Sequence, residues 1–110
     1  MKIALAQTHP VTGNINANIT AHEQFVMRAV AQSADGIVFS ELSLTGYEPA
    51  LANSLALVPE DDRLAVFKNL SDTHAITIMV GAPVKVKAGV QIGLLIFQPQ
   101  QQVKVYGKQY

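Results

Sequence analysis

The chain has 110 residues, of which 49% are hydrophobic and 15% are charged, a composition typical of one globular domain. Eight Lys and Arg residues balance eight Asp and Glu residues, and without a local basic cluster this zero net charge excludes a nucleic-acid-binding surface. The sequence contains no cysteine, which excludes disulfides, cysteine-ligated zinc and a cysteine nucleophile within these residues.

The first part of the chain alternates short apolar runs with a longer amphipathic segment. Residues 3–6 and 37–39 predict two strands that are buried on both faces. Between them a helix is predicted to run to about Ser33, and Asn16 and Asn18 are its two candidate N-caps. The predicted apolar stripe of this helix comprises Ile19, His22, Val26, Ala29 and Val30, with Phe25 beside it.

The remainder of the chain predicts a second helix and several strands. Three acids at 60–62 follow Pro59 and favour a helix start, because carboxylates suit the positive end of a helix dipole. This helix is expected to end near Thr73, and residues 76–80 predict a third strand that residues 81–83 close. From there the apolar period becomes two, which predicts strands at 84–86, 92–97 and 103–106 and turns at 88–89 and 98–101.

The order of these elements defines the fold class. Strands that alternate with helices predict an α/β protein with helices packed on a sheet, and the closing strands should be antiparallel. No apolar run reaches the roughly 18 residues of a membrane span. The apolar run of residues 1–7 breaks at Gln7, so we interpret it as a strand and not as a signal peptide. A soluble cytoplasmic protein without a membrane partner is therefore expected.

Glu41 is the first candidate for a functional role. It directly follows the second predicted strand, and in open α/β sheets ligands bind at the carboxyl ends of the strands. Burial at that edge would disfavour the charged carboxylate and suit a general base. The alternative is an exposed carboxylate in a loop, or a cap for a short turn.

Lys108 is the second candidate. If the strand alternation holds, Lys104, Tyr106 and Lys108 share one face of the last strand, and its valines share the other. The alternative is a solvated lysine on an edge strand, where lysine commonly prevents unwanted strand pairing.

Other familiar sites are not supported. The histidines His9, His22 and His74 fall in different elements without ligand spacing, so no metal site is expected, and His22 should be a satisfied, half-buried side chain. The seven glycines form neither a dinucleotide-binding nor a phosphate-binding loop. Ser40 and Ser43 lie near Glu41, but no histidine is close in sequence and G-x-S-x-G is absent, so a serine nucleophile is not expected.

Four stretches taken together resemble the start of the nitrilase, or carbon–nitrogen hydrolase, superfamily. Residues 2–7 read KIALAQ, residues 10–18 read PVTGNINAN, and residues 106–108 read YGK. The most specific stretch is residues 36–49, which read GIVFSELSLTGYEP and are similar to the family's strand-Pro-Glu-Leu…Thr-Gly-Tyr signature.

This resemblance implies a four-layer αββα sandwich, to which the chain would contribute a mixed sheet with two helices. It implies a Glu-Lys-Cys triad that hydrolyses non-peptide carbon–nitrogen bonds in small-molecule amides, nitriles or carbamoyl compounds. Carried over, Glu41 would be the general base and Lys108 the cation that stabilises the oxyanion. The family's chemistry needs no cofactor or metal, and its members often form homo-oligomers.

The chain departs from the family pattern at three places. Ser40 stands where the family often has proline, Val90 and Gln91 stand where many members carry Tyr-Asn, and the nucleophilic cysteine is missing. We therefore expect residues 1–110 to be the N-terminal part of a single hydrolase domain, truncated after Tyr110 and inactive alone. The alternative is a non-catalytic α/β module for binding or oligomerisation.

Overall fold

The computed structural model describes residues 1–46, 52–87 and 89–108, together with the side chains of these residues except those of 52, 53 and 108. The strands are β1 (Ile3–Ala6), β2 (Gly36–Phe39), β3 (Thr77–Val86), β4 (Gly89–Phe97) and β5 (Lys104–Lys108). The helices are α1 (Ile15–Ala31), the single turn α2 (Ala52–Leu55) and α3 (Ala65–His74), and a 3₁₀ turn (Asp62–Leu64) leads into α3.

The five strands form one mixed sheet in the order β1-β2-β3-β4-β5. β1, β2 and β3 are parallel, and each of the pairs β3–β4 and β4–β5 is antiparallel. The α/β class, with two long helices and an antiparallel end to the sheet, is therefore confirmed. The change from parallel to antiparallel follows from the connections, because α1 and α3 are crossovers while β3, β4 and β5 are joined by short turns.

The hydrophobic core lies between one face of the sheet and the helices α1 and α3. The ring of His22 in α1 stacks on Phe39 of β2 with 4.1 Å between the centroids, and Phe67 of α3 lies 5.5 Å from Phe97 of β4. Along β4 buried residues alternate with partly exposed ones, as expected where the helices cover one face of a sheet. The predicted apolar stripe of α1 is confirmed.

β1 is less buried than predicted. Ile3 is 48% exposed and Leu5 is 84% exposed, whereas Ala4 and Ala6 pack against the core. Among the described strands β1 pairs with β2 alone and forms an edge of the sheet, and its alanine face packs against the core. The expectation of a strand buried on both faces is therefore wrong.

The N-terminus of α1 also differs from the prediction. Its N-cap is Asn14, whose side chain accepts a hydrogen bond from the Ala17 amide at 3.1 Å, so the predicted caps Asn16 and Asn18 are wrong. Asn18 lies inside the helix and is buried, and its amide group donates to the Leu44 carbonyl at 2.8 Å. Asn18, predicted to cap the start of α1, therefore connects the helix to the loop after β2.

β3 continues through the segment predicted to end it. Gly81 pairs with Leu94 and Pro83 pairs with Ile92, because β4 offers partners to β3 from Ile78 to Val86. The strand predicted at 84–86 is therefore the end of β3. Residue 88 of the predicted turn at 88–89 lies outside the described residues. The second predicted helix corresponds to α3 and the 3₁₀ turn that leads into it.

Candidate active site

The candidate site begins at the carboxyl end of β2, where the chain turns immediately after Glu41. The turn is closed by hydrogen bonds from the Ser43 amide to the Ser40 carbonyl at 3.2 Å and from the Gly46 amide to the Leu42 carbonyl at 2.8 Å. Leu42 has a φ of 56°, a left-handed conformation that residues other than glycine adopt rarely. The direction in which the chain leaves Glu41 therefore depends on contacts that hold this turn.

Gly81 of β3 lies directly against the turn. A Cβ atom at Gly81 would lie 2.5 Å from the Leu42 nitrogen and 3.0 Å from the Glu41 carbonyl carbon, distances that no side chain can occupy. The Gly81 amide donates to the Ser43 hydroxyl oxygen at 3.1 Å, and its carbonyl accepts from the Leu44 amide at 2.9 Å. β3 and the turn therefore meet backbone to backbone, and only glycine fits at this position.

Glu41 lies beside an open cavity of about 250 Å³. The cavity is lined by Phe39, Glu41, Ile92, Gly93, Leu94 and Tyr106. The Glu41 side chain is exposed, so the expected burial of this carboxylate is wrong for the chain as described. The cavity opens to solvent, and the exposed Tyr106 ring forms part of its wall.

The register of β5 relates Lys108 to the same cavity. Lys108 pairs with Ile92, Tyr106 pairs with Leu94, and Lys104 pairs with Ile96. These three β5 residues share one face of the strand by backbone position, as the alternation predicted. Ile92 therefore neighbours both candidates: it lines the cavity beside Glu41 and is the backbone partner of Lys108. The Lys108 side chain lies outside the described part of the chain.

Behind the turn, two buried polar side chains meet that the sequence did not connect. The Nε2 atom of His22 lies 2.9 Å from Oγ of Ser43, and its Nδ1 atom lies 2.6 Å from the carbonyl oxygen of Asn18. His22 is 1% exposed and Ser43 is fully buried, so the half-buried environment predicted for His22 is wrong. Burial lowers the pKa of His22 to about 4, an effect that the hydrogen bond to the Asn18 carbonyl partly opposes. The imidazole is therefore neutral near pH 7.

The pair of Ser43 and His22 is not an exposed nucleophile and its base. The serine hydroxyl is enclosed by the core and also accepts the Gly81 amide, so a substrate has no access to it. No histidine is close to Ser43 along the chain, because 21 residues separate it from His22, but the fold brings the two side chains together. One signal was present: Asn18 and His22 are polar residues four positions apart on the apolar stripe of a helix.

Asn18 joins the segment before α1 to the turn after β2. Its Oδ1 atom accepts from the Val11 amide at 2.7 Å, and its Nδ2 atom donates to the carbonyls of Val11 at 2.9 Å and Leu44 at 2.8 Å. The Gly13 amide donates to the Thr45 carbonyl at 2.9 Å and adds a further contact. Residues 10–18 and residues 36–46, which belong to two of the family-like stretches, therefore pack against each other. Residues 47–49 of the second lie outside the described residues.

Neither a cluster of metal ligands nor a membrane-spanning helix is found among the described residues. Within 1–46, 52–87 and 89–108, no three His, Cys, Asp or Glu side chains come together as ligands of a metal ion would. Of the helices in these ranges, none has both the length and the apolar character needed to cross a membrane.

These features define the class of the protein: an α/β domain with a mixed sheet and a carboxylate at the carboxyl end of a parallel strand. The carbon–nitrogen hydrolase family model matches residues 2–110 of the chain. The chain therefore belongs to the carbon–nitrogen hydrolase family, and the resemblance drawn from the sequence motifs is confirmed.

Solved structures show the same fold in longer chains. A CN-hydrolase superfamily protein from Xanthomonas campestris, with an arsenic adduct in its active site, superposes with a TM-score of 0.85 at 17% identity, over 98% of this chain and 40% of that chain. A variant of the amidase from Nesterenkonia sp. AN1, with acrylamide added at the active-site cysteine, gives a TM-score of 0.82 at 20% identity, over 100% of this chain and 44% of that chain.

A curated relative is closer in sequence but much longer. A glutamine-dependent NAD(+) synthetase from Acinetobacter baylyi is 37% identical over 82 residues, which are 73% of this chain and 15% of the synthetase. The chain thus spans less than half the length of the relatives and structures that it resembles.

Proposed function

We propose that residues 1–110 are the N-terminal part of a carbon–nitrogen hydrolase domain, whose nucleophilic cysteine lies outside this chain. Membership of the family along residues 2–110 carries the proposal. It is supported by the absence of cysteine from the chain and by the share, 40% to 44%, that the chain covers of the matched solved chains. The amidase that carries acrylamide at an active-site cysteine supports cysteine as the nucleophile.

In this proposal Glu41 is the general base and Lys108 stabilises the oxyanion. Acyl transfer needs a base to accept the thiol proton and positive charge beside the oxygen of the tetrahedral intermediate. The position of Glu41 beside Ile92, and the pairing of Lys108 with Ile92, support a shared site for the two residues.

The proposed reaction proceeds in two steps. The cysteine sulfur attacks the carbonyl carbon, a C–S bond forms, and the C–N bond breaks as the nitrogen leaves with the proton that Glu41 received from the thiol. Water then attacks the thioester, Glu41 accepts a water proton, and the cysteine regains its thiol as the carboxylic acid is released. The products are the acid and ammonia or an amine.

We further propose that the substrate is a small primary amide, with the side-chain amide of glutamine as the first candidate. This rests on the 37% identity with a glutamine-dependent synthetase and on the fold shared with an amidase. Nitriles and carbamoyl compounds are the competing substrate classes. Ammonia release from glutamine, acetamide, acetonitrile and N-carbamoyl-alanine by the complete polypeptide ranks them directly, and turnover of the nitrile alone would contradict the amide proposal.

The isolated chain provides a separate test. Purified residues 1–110 should release no ammonia from these substrates, because Glu41 and Lys108 have no nucleophile to activate. Turnover that Glu41→Ala abolishes would show that residues 1–110 contain a complete site. It would overturn the proposal that the nucleophile lies outside this chain. The coding sequence after Tyr110 is a second test, because the proposal requires a cysteine codon there.

A non-catalytic oligomerisation module is the second candidate function. It is favoured by apolar side chains on the uncovered face and edge of the sheet, where Leu5 is 84% exposed and Tyr106 is 67% exposed. Homo-oligomers are also the assemblies that the family resemblance implies. Size-exclusion chromatography tests this candidate, and a monomer at every concentration would count against it.

A further inference from the structure

We propose that His22 and Ser43 are positioning residues for Glu41, because their buried hydrogen bonds hold the turn from which Glu41 projects. The inference rests on the role of Glu41 proposed above, but its geometric part concerns only the position of the turn. Neither residue reaches the cavity beside Glu41, so neither is a catalytic residue.

The partners of His22 define the direction of the hydrogen bonds. A carbonyl oxygen only accepts, so Nδ1 of His22 carries the proton that is donated to Asn18. In the neutral imidazole Nε2 is then an acceptor, and it receives the hydroxyl proton of Ser43. The oxygen of Ser43 in turn accepts the amide proton of Gly81. Every group in this relay, from Gly81 through Ser43 and His22 to Asn18, is therefore satisfied.

The position of the relay explains why it would affect Glu41. Ser43 lies two residues after Glu41, and Leu42 between them has the left-handed φ of 56°. Such a conformation persists only where surrounding contacts hold it. The side chain of Ser43 anchors the turn to β3 and, through His22, to α1. The backbone contact between Gly81 and the turn then leaves Glu41 little freedom to shift.

A purely structural role is the competing explanation, because any buried serine contributes to stability when it is hydrogen-bonded. Ser71 provides the matched control. It is also fully buried, and its hydroxyl donates to the Phe97 carbonyl at 3.3 Å, in the contact between α3 and β4. Ser43→Ala and Ser71→Ala therefore both remove one buried hydroxyl, but only the first removes it from the relay.

The first measurement follows backbone amides of the 110-residue chain by ¹H–¹⁵N NMR. Ser43→Ala should shift the Glu41 and Leu42 resonances, whereas Ser71→Ala should not. Ser43→Ala should also accelerate hydrogen exchange of the Gly81 amide by a factor at least about ten times the factor that Ser71→Ala causes. Equal effects of the two variants on these amides would overturn the proposal. This result does not depend on any enzymatic activity.

The second measurement uses the complete polypeptide that contains the proposed cysteine. Ser43→Ala should lower kcat about 10- to 100-fold with little change in KM, because a small displacement of a catalytic group costs this much. Ser71→Ala should leave kcat unchanged. Unchanged kcat in Ser43→Ala would contradict the positioning role, whereas a wild-type protein without activity would contradict the proposed function and leave the NMR result to decide on the relay.

Variants of His22 separate shape from hydrogen bonding. His22→Gln keeps one donor and one acceptor on a side chain of similar reach, whereas His22→Leu removes both. The Glu41 and Leu42 resonances should stay close to their wild-type positions in the glutamine variant and move in the leucine variant. Equal displacement in the two variants would contradict a relay that acts through its hydrogen bonds.

Discussion

Gly81 and Leu42 meet backbone to backbone, and a Cβ atom at Gly81 would lie 2.5 Å from the Leu42 nitrogen. This contact joins β3 to the turn that follows Glu41, and it makes position 81 the most restrictive one around the candidate site. The sheet and the turn can separate to admit a methyl group only by weakening the hydrogen bonds that Gly81 makes with Ser43 and Leu44.

Gly81→Ala should therefore lower the free energy of unfolding by about 1–3 kcal/mol, the usual cost of an added methyl group in a tightly packed region. Gly36→Ala is the control, because a Cβ atom at Gly36 meets the mobile end of the Ile3 side chain at 3.0 Å. Urea denaturation of both variants measures the difference. Equal losses in the free energy of unfolding would show that the backbone around Gly81 can shift to accept a methyl group at little cost.

The buried His22 makes stability depend on pH. Its pKa is lowered to about 4 in the folded chain by burial, so protons bind the unfolded state preferentially between about pH 6.5 and 4. Stability from this group is complete above pH 6.5 and is lost as the pH falls toward 4. From pH 7 to pH 5 the wild type should lose about 2 kcal/mol more than His22→Gln does. Urea denaturation at the two pH values measures this, and parallel losses would contradict a buried neutral imidazole.

Asn18 should contribute more to stability than the actual N-cap of its helix. Asn18→Ala leaves the Val11 amide and the Leu44 carbonyl without their side-chain partner and removes one of the two hydrogen bonds to the Val11 carbonyl, which should cost about 2–3 kcal/mol. Asn14→Ala removes one exposed cap and should cost about 1 kcal/mol. Thermal or urea unfolding ranks the two variants. The reverse order would mean that the bonds of Asn18 contribute little in solution.

Exposed apolar residues at the sheet edge should drive self-association of the isolated chain. Leu5→Lys should shift the chain toward monomer in size-exclusion chromatography. At concentrations where both proteins are monomers it should leave the unfolding midpoint unchanged, because Leu5 is 84% exposed. Met27→Lys is the control, since Met27 is 45% exposed and lies on the helix α1 and not on a strand of the sheet. If both variants weaken self-association equally, the effect comes from the added surface charge, and a specific role of the sheet edge is contradicted.

Local sequence patterns predict most of this fold. The alternation of apolar runs with helical periodicity predicts the mixed α/β sheet, and the position of Glu41 after β2 follows from one apolar strand. The resemblance to the family adds Lys108, which spacing alone leaves as one lysine on an edge strand. β1 was misjudged because an apolar run does not reveal that its strand lies at the edge of a sheet.

The environment of Glu41 was the least predictable part. The contact between Ser43 and His22 joins residues 21 apart in different elements, and only the packing of α1 on β2 brings them together. The glycine requirement at position 81 arises in the same way, because it depends on where a turn 40 residues earlier crosses β3. Such relations come from tertiary packing: a local pattern can mark Asn18 and His22 as unusual, but it does not reveal their partners in the turn.

We propose that Glu41 and Lys108 are two members of a triad completed by a cysteine outside this chain. The most direct test is ammonia release from glutamine and acetamide by the complete polypeptide and by its variants Glu41→Gln and Lys108→Met. Each variant should lose at least about 100-fold in kcat. The controls Glu60→Gln and Lys104→Met, which change exposed residues, should retain wild-type rates. Wild-type turnover in Glu41→Gln would contradict the account.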